Sequence, residues 1–148
     1  MNRRKLFDWI QGVDGEYRVA RLAVGRLREQ AAEDPGALAD QAVAFADIRA
    51  CREHLEGTYT VRLFAEFESG LRDFWRDGRG RRSRPQTRAL IDSLAAYQQV
   101  DRASLRRVHQ VREYRNRIVH EQATGPTLSF GECRSYLGRF LSYLPRAW

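Results

Sequence analysis

Lysine is almost missing from this chain: Lys5 stands alone among 26 basic residues, and the others are all arginine. With 19 acidic residues the net charge is +7. Such a bias follows either from codon usage in a GC-rich genome or from a polyanionic partner, because a planar guanidinium grips phosphate through paired hydrogen bonds. The balance fits RNA or DNA and selects neither. Cysteine is scarce as well. Cys51 and Cys133 are far apart, form no Cys-x-x-Cys pair, and are joined by only three scattered histidines, so no zinc site is written here. Both cysteines fall on apolar helical faces and are expected to be buried free thiols. Long apolar runs are also lacking. No stretch approaches a membrane span, and the basic start, Met1 to Gly12, has no signal-peptide core. We therefore expect a cytoplasmic protein without a membrane partner.

What is present is helical periodicity. The 148 residues suit a single domain with a real core, and hydrophobic residues make up 43%. Apolar positions recur at helical spacing from about Asp14 to Ala32, from Ala37 to Glu56 and from Thr58 to Trp75. Glu33-Asp34-Pro35-Gly36 ends the first segment, and Gly57 is expected to stop or kink the second. A short helix is expected from Pro85 to Tyr97, with Pro85 in its first turn. Asp101 is placed to cap a helix from Arg102 to about Glu121. Ser129 and Glu132 have capping-box spacing for a last helix that stops at Pro145. The reading is all-α: a single up-and-down bundle of four to six helices over residues 1–148. Between the third and fourth segments, residues 76–85 hold five arginines and two glycines, and are read as a flexible basic loop.

Two charges sit where apolar residues belong. On the helix from Arg102, Leu105, Val108, Val111, Ile118 and Val119 form a stripe, and Arg115 projects into its middle. In the third segment Glu68 lies within the stripe of Phe64, Phe67, Leu71 and Trp75. A charge on a buried face is costly unless it is paired or functional. The opposite signs predict that the two segments pack together and that Glu68 pairs with Arg115. Such a pair either fixes register or holds a reactive geometry.

Arg115-Asn116-Arg117-Ile118-Val119-His120 carries the chemistry. The arginine holds a phosphate, and the imidazole moves a proton near neutral pH. Arg115 and His120, five apart, diverge by roughly 140° on a straight helix. They converge on one phosphate only if the helix distorts near its end or if a second subunit completes the site. The plain alternative for His120 is a helix-terminal residue satisfying the last carbonyls. His54 and His109 are read as surface or boundary residues, although His109 projects on the side of Asn116.

Arg115-Asn116-x-x-x-His120 on a late helix of a small helical domain resembles the signature of HEPN domains. Leu63-Phe64-Ala65-Glu66-Phe67-Glu68-x-x-Leu71 resembles the earlier helix of their ribonuclease branches, which places an acidic residue near the motif. The resemblance implies a homodimer whose motif helices share a cleft, and a metal-independent endoribonuclease of toxin–antitoxin, abortive-infection or CRISPR-linked defence. It implies RNA as substrate, a possible antitoxin or defence-system partner protein, and no cofactor or metal. His120 would exchange a proton with the ribose 2′-hydroxyl or the leaving 5′-oxygen. Arg115, from one or both subunits, would neutralise the phosphorane. Asn116 would orient His120 or bond a phosphate oxygen, and Glu68 would orient Arg115. In HEPN toxins silenced by nucleotidylation a tyrosine lies two positions after the histidine; here that position is Gln122, which puts that regulation in doubt.

Arg79, Arg81 and Arg82 in the basic loop, with Arg112 and Arg117 on the motif helix, are read as RNA contacts giving salt-sensitive affinity. A solvated linker is the plain alternative for the loop. The aromatics Phe64, Phe67, Phe74, Trp75, Tyr136 and Phe140 lie at core spacing and are read as packing. A non-catalytic module that binds RNA or protein is the competing function. No convincing helix-turn-helix supports a DNA reader.

Overall fold

The computed structural model describes residues 2–121 and 124–148, so Gln122 lies outside the described residues. Among the described residues the chain forms an all-α bundle of five α-helices: α1 (Arg3–Glu33), α2 (Phe45–Asp73), α3 (Thr87–Tyr97), α4 (Arg102–Val119) and α5 (Phe130–Leu141). α2 is the hub, packed against each of the other four. Among the described residues no helix is long and apolar enough to cross a membrane.

α1 begins well before the expected Asp14. Asn2 caps it, its Oδ1 accepting from the Lys5 amide at 2.8 Å, and Leu6, Ile10, Val13 and Tyr17 are buried at helical spacing. Gly12 and Gly15, both poor helix formers, break the pattern in the sequence but sit in open space within the helix. The Arg3 guanidinium ties this start to the end of the bundle, donating to the carbonyls of Ser142 at 2.8 Å and Leu144 at 2.7 Å.

The second and third expected helices are one. α2 runs without a break through Gly57, because that residue faces α4, with the Ile118 side chain 3.5 Å from where a Cβ would stand. Packing at the crossing outweighs a glycine's low helix propensity. Past Asp73 the helix widens into a single π-helical turn, Phe74–Gly78, and Phe74 meets Trp148 edge-on at 4.9 Å.

The main core joins Leu6 and Ile10 of α1, Leu63 and Phe67 of α2, Leu90 and Leu94 of α3, Val108 and Val111 of α4, and Leu137 and Phe140 of α5. A smaller cluster of Ala31, Leu38 and Ile48 holds the far end of the α1–α2 pair. Cys133 is buried as expected, and burial pushes its thiol up to about 12. Cys51, expected to be buried, is exposed. Over the first turns of α2 only Ile48 is buried, so the apolar face that the spacing drew there is largely uncovered.

The expected caps form. Asp101 Oδ1 accepts from the Ser104 amide at 2.8 Å, opening α4. Its Oδ2 accepts from the Ser104 hydroxyl at 2.7 Å and the Tyr143 hydroxyl at 2.6 Å. Ser129 and Glu132 exchange the two bonds of a capping box at the start of α5. Pro85 stands outside α3, whose N-cap is Gln86, and its carbonyl accepts from Arg72 Nη1 at 3.1 Å.

Candidate functional site

A pocket of about 320 Å³ opens where α2, the start of α3 and α4 converge. α2 contributes Phe64, Glu68 and Arg72; the start of α3 contributes Gln86, Thr87 and Arg88; α4 contributes Arg112, Arg115 and Asn116. Three of the four residues expected to carry catalysis, Glu68, Arg115 and Asn116, therefore share one pocket, together with Arg112.

Arg115 is half-buried. Its Nη1 donates to Asn116 Oδ1 at 3.0 Å, and its guanidinium carbon lies 5.9 Å from the centre of the Phe64 ring. Its Nε is shielded from solvent and has no partner among the described residues. No ion pair joins it to Glu68. Glu68 is held instead by Arg72, whose Nη2 lies 2.5 Å and Nε 3.1 Å from Oε1, and by the Thr87 hydroxyl at 2.8 Å. The expected Glu68–Arg115 pair is thus replaced by a pair along α2 at spacing of four, the arrangement a helix brings together without tertiary help. Arg115 keeps the greater part of its donors, five N–H groups in all, with one protein acceptor among the described residues.

His120 closes α4. Its amide donates to the Asn116 carbonyl at 3.0 Å, so the helical path is kept to that point. Glu121 then takes a positive φ of 51°, the left-handed turn with which many helices end. The His120 side chain is exposed and does not line the Arg115 pocket. Within one copy the helix does not distort to unite cation and imidazole.

The expected RNA contacts separate into four places. Arg112 lines the Arg115 pocket; its Nη2 is 3.4 Å from Glu113, and its Nε is shielded and unpartnered. Arg117 faces the other way. It donates to the Pro126 carbonyl, lies 5.7 Å over Tyr114, and borders a pocket of about 810 Å³ shared with Glu53, His54, Glu56 and Glu121. Arg79 stacks on Tyr97 at 3.2 Å. Arg81 and Arg82 are exposed and line a pocket of about 610 Å³ with Trp75 and Arg72. The basic segment is anchored: Trp75 Nε1 donates to the Ser83 carbonyl at 3.0 Å, and the Arg81 amide to the Trp75 carbonyl at 3.2 Å.

The sequence reading missed Arg72, Arg88 and Thr87. Arg72 was open to discovery, since it stands four residues after Glu68. His109, read as a surface or boundary residue, is half-buried, with Nε2 2.7 Å from Asp92 Oδ1. Nothing in the spacing of seventeen residues announces that contact. Among the described residues no group of three or more His, Cys, Asp or Glu side chains is arranged to hold a metal ion. Comparison with known proteins finds no family model that matches the chain, and no curated protein or solved structure that matches it.

Proposed function

We propose that the protein is a metal-independent endoribonuclease of HEPN type, assembled from two copies, and that it acts as a toxin or defence effector. The observation that carries this reading is the side-by-side placement of Arg115 and Asn116 in an arginine-lined pocket, on the helix that His120 ends. A guanidinium with most of its donors free, beside a low-dielectric wall, suits a phosphate whose charge grows in the transition state. His120, exposed at the helix end, is open to a second copy. In this scheme Arg115 of one copy meets His120 of the other.

The reaction is an internal transesterification. The ribose 2′-oxygen attacks phosphorus while His120 takes its proton or gives one to the departing 5′-oxygen, water serving the other of the two transfers. The P–O5′ bond breaks, leaving a 2′,3′-cyclic phosphate and a 5′-hydroxyl. Arg115 neutralises the phosphorane oxygens, and Asn116 fixes the Arg115 guanidinium through the bond already present. Glu68 acts at one remove by positioning Arg72 and Thr87 at the pocket wall. No cofactor enters the scheme.

A second reading, a non-catalytic RNA- or protein-binding module, draws on the separation of His120 from the Arg115 pocket within one copy. Labelled RNA incubated in EDTA with wild type and with His120→Ala separates the two. The ribonuclease reading expects wild-type products ending in 2′,3′-cyclic phosphate and none from the variant. RNA that is bound but uncut by both, or cutting that needs magnesium, overturns it.

A further inference from the structure

Arg72 lines two pockets at once. On one side lies the pocket of Arg115; on the other lies the larger pocket walled by Trp75, Arg76, Arg81, Arg82 and Arg84. Glu68 offsets the charge of Arg72 itself. Arg76 is neutralised by Asp73 at 2.9 Å and Asp77 at 2.7 Å, but the other guanidinium groups on either side are weakly opposed. Among the described residues Arg81, Arg82 and Arg84 form no ion pair, and Arg88, its side chain 73% exposed, comes no closer than 3.9 Å to Asp92. Arg112 has only the exposed Glu113. The arginines of 81–84 are presented by chain that is tied down at both ends, by the Arg81 amide to the Trp75 carbonyl and by Arg72 to the Pro85 carbonyl, with Trp75 Nε1 on the Ser83 carbonyl between them.

α3 adds a fixed dipole. Its eleven residues start at the pocket wall, and Gln86 supplies no side-chain cap. The first amides of α3, and the positive end of its dipole, therefore stand beside Arg88 and Arg112 with no capping acceptor.

We infer that the two pockets form one track for a polynucleotide backbone. It runs from Arg81, Arg82 and Arg84 past Arg72 to Arg88 and Arg112, and seats a phosphate flanking the scissile one at the start of α3. A free phosphate or a mononucleotide fills one pocket and leaves the other empty; a band of cations on both sides of Arg72 matches a row of phosphates. The choice of nucleic acid rests on the ribonuclease reading, but the site is defined by binding alone.

The test uses the full chain and a short fluorescein-labelled single-stranded deoxyoligonucleotide, which has no 2′-hydroxyl and is not cut. Anisotropy is followed across a salt series for wild type, Arg84→Ala, Arg88→Ala and, as a control on the exposed side of α1, Arg28→Ala. The track predicts severalfold weaker binding for Arg84→Ala and Arg88→Ala. Each should also make the log–log salt slope shallower by roughly 0.7, the single-strand value for one lost phosphate contact. Arg28→Ala should match wild type, and neither inorganic phosphate nor a nucleoside monophosphate should displace the probe where unlabelled oligonucleotide does. Unchanged slopes in Arg84→Ala and Arg88→Ala overturn the track, as does full displacement by inorganic phosphate. Losing the track while RNA is still cut leaves the nuclease standing; keeping it while RNA stays intact does the reverse.

Discussion

Among the described residues Arg115 gives one side-chain hydrogen bond to the protein, to Asn116. A residue kept for charge alone tolerates lysine, whereas one that grips two phosphate oxygens does not. Arg115→Lys should therefore lower kcat on labelled RNA by about a hundredfold or more, the cost of losing one preorganised donor to a developing oxyanion. A variant within a few-fold of wild type would remove Arg115 from the chemistry. The two thiols make a second residue-scale prediction. With Cys133 raised to about 12 by burial and Cys51 exposed, iodoacetamide near pH 8 should label Cys51 in the native protein and reach Cys133 only in denaturant, because thiolate is the reactive form. Peptide mapping reads this directly. Arg115 was legible in the sequence because a charge on an apolar stripe is an anomaly that periodicity exposes; Asn116 stood out only as its neighbour in the motif. The partner of Glu68 was misread because two misplaced charges of opposite sign invite pairing, while the nearer Arg72, one helical turn on, wins by proximity.

At the scale of elements, helix ends were more legible than helix continuity. Asp101, Ser129 and Glu132 announced their caps through spacing, since capping is local chemistry. Gly57 announced a break that does not occur, since contact with Ile118 is tertiary and invisible in the local pattern. The Asp101 cap carries a pH dependence. Hydrogen bonds from the Tyr143 hydroxyl, then from Ser104, hold its carboxyl well below the usual range. A carboxyl lowered by folding stabilises the fold above its unfolded pKa of about 4, and that contribution is lost as pH falls from there toward the folded value. Asp101→Ala should melt below wild type at pH 7, with the gap narrowing in acid below about pH 4. A gap that does not change with pH would contradict the assignment. At Gly70 α1 and α2 approach closely: a Cβ there would fall on the buried Leu6 side chain. Gly70→Ala should cost about 1–3 kcal/mol by overpacking, read as a lower urea midpoint at unchanged m-value.

For the whole molecule, the all-α bundle was legible because five amphipathic stripes need one another's cover. The far end of the α1–α2 pair was not, since the sequence pattern places apolar residues without saying what covers them, and Cys51 is the result. The proposed site has the same character. Arg115 and Asn116 meet in one pocket that His120 does not line, and in the proposed dimer a second copy would bring cation and imidazole together. Mixing inactive subunits tests this most directly. Arg115→Ala and His120→Ala are each purified, shown to be folded and inactive on labelled RNA in EDTA, then mixed at equal concentration and allowed to exchange. Random pairing leaves one complete Arg115–His120 site in half of the dimers, so activity should return to about a quarter of wild type, with 2′,3′-cyclic phosphate ends. A mixture as inactive as its components, in subunits shown to exchange, would contradict a site built across two copies.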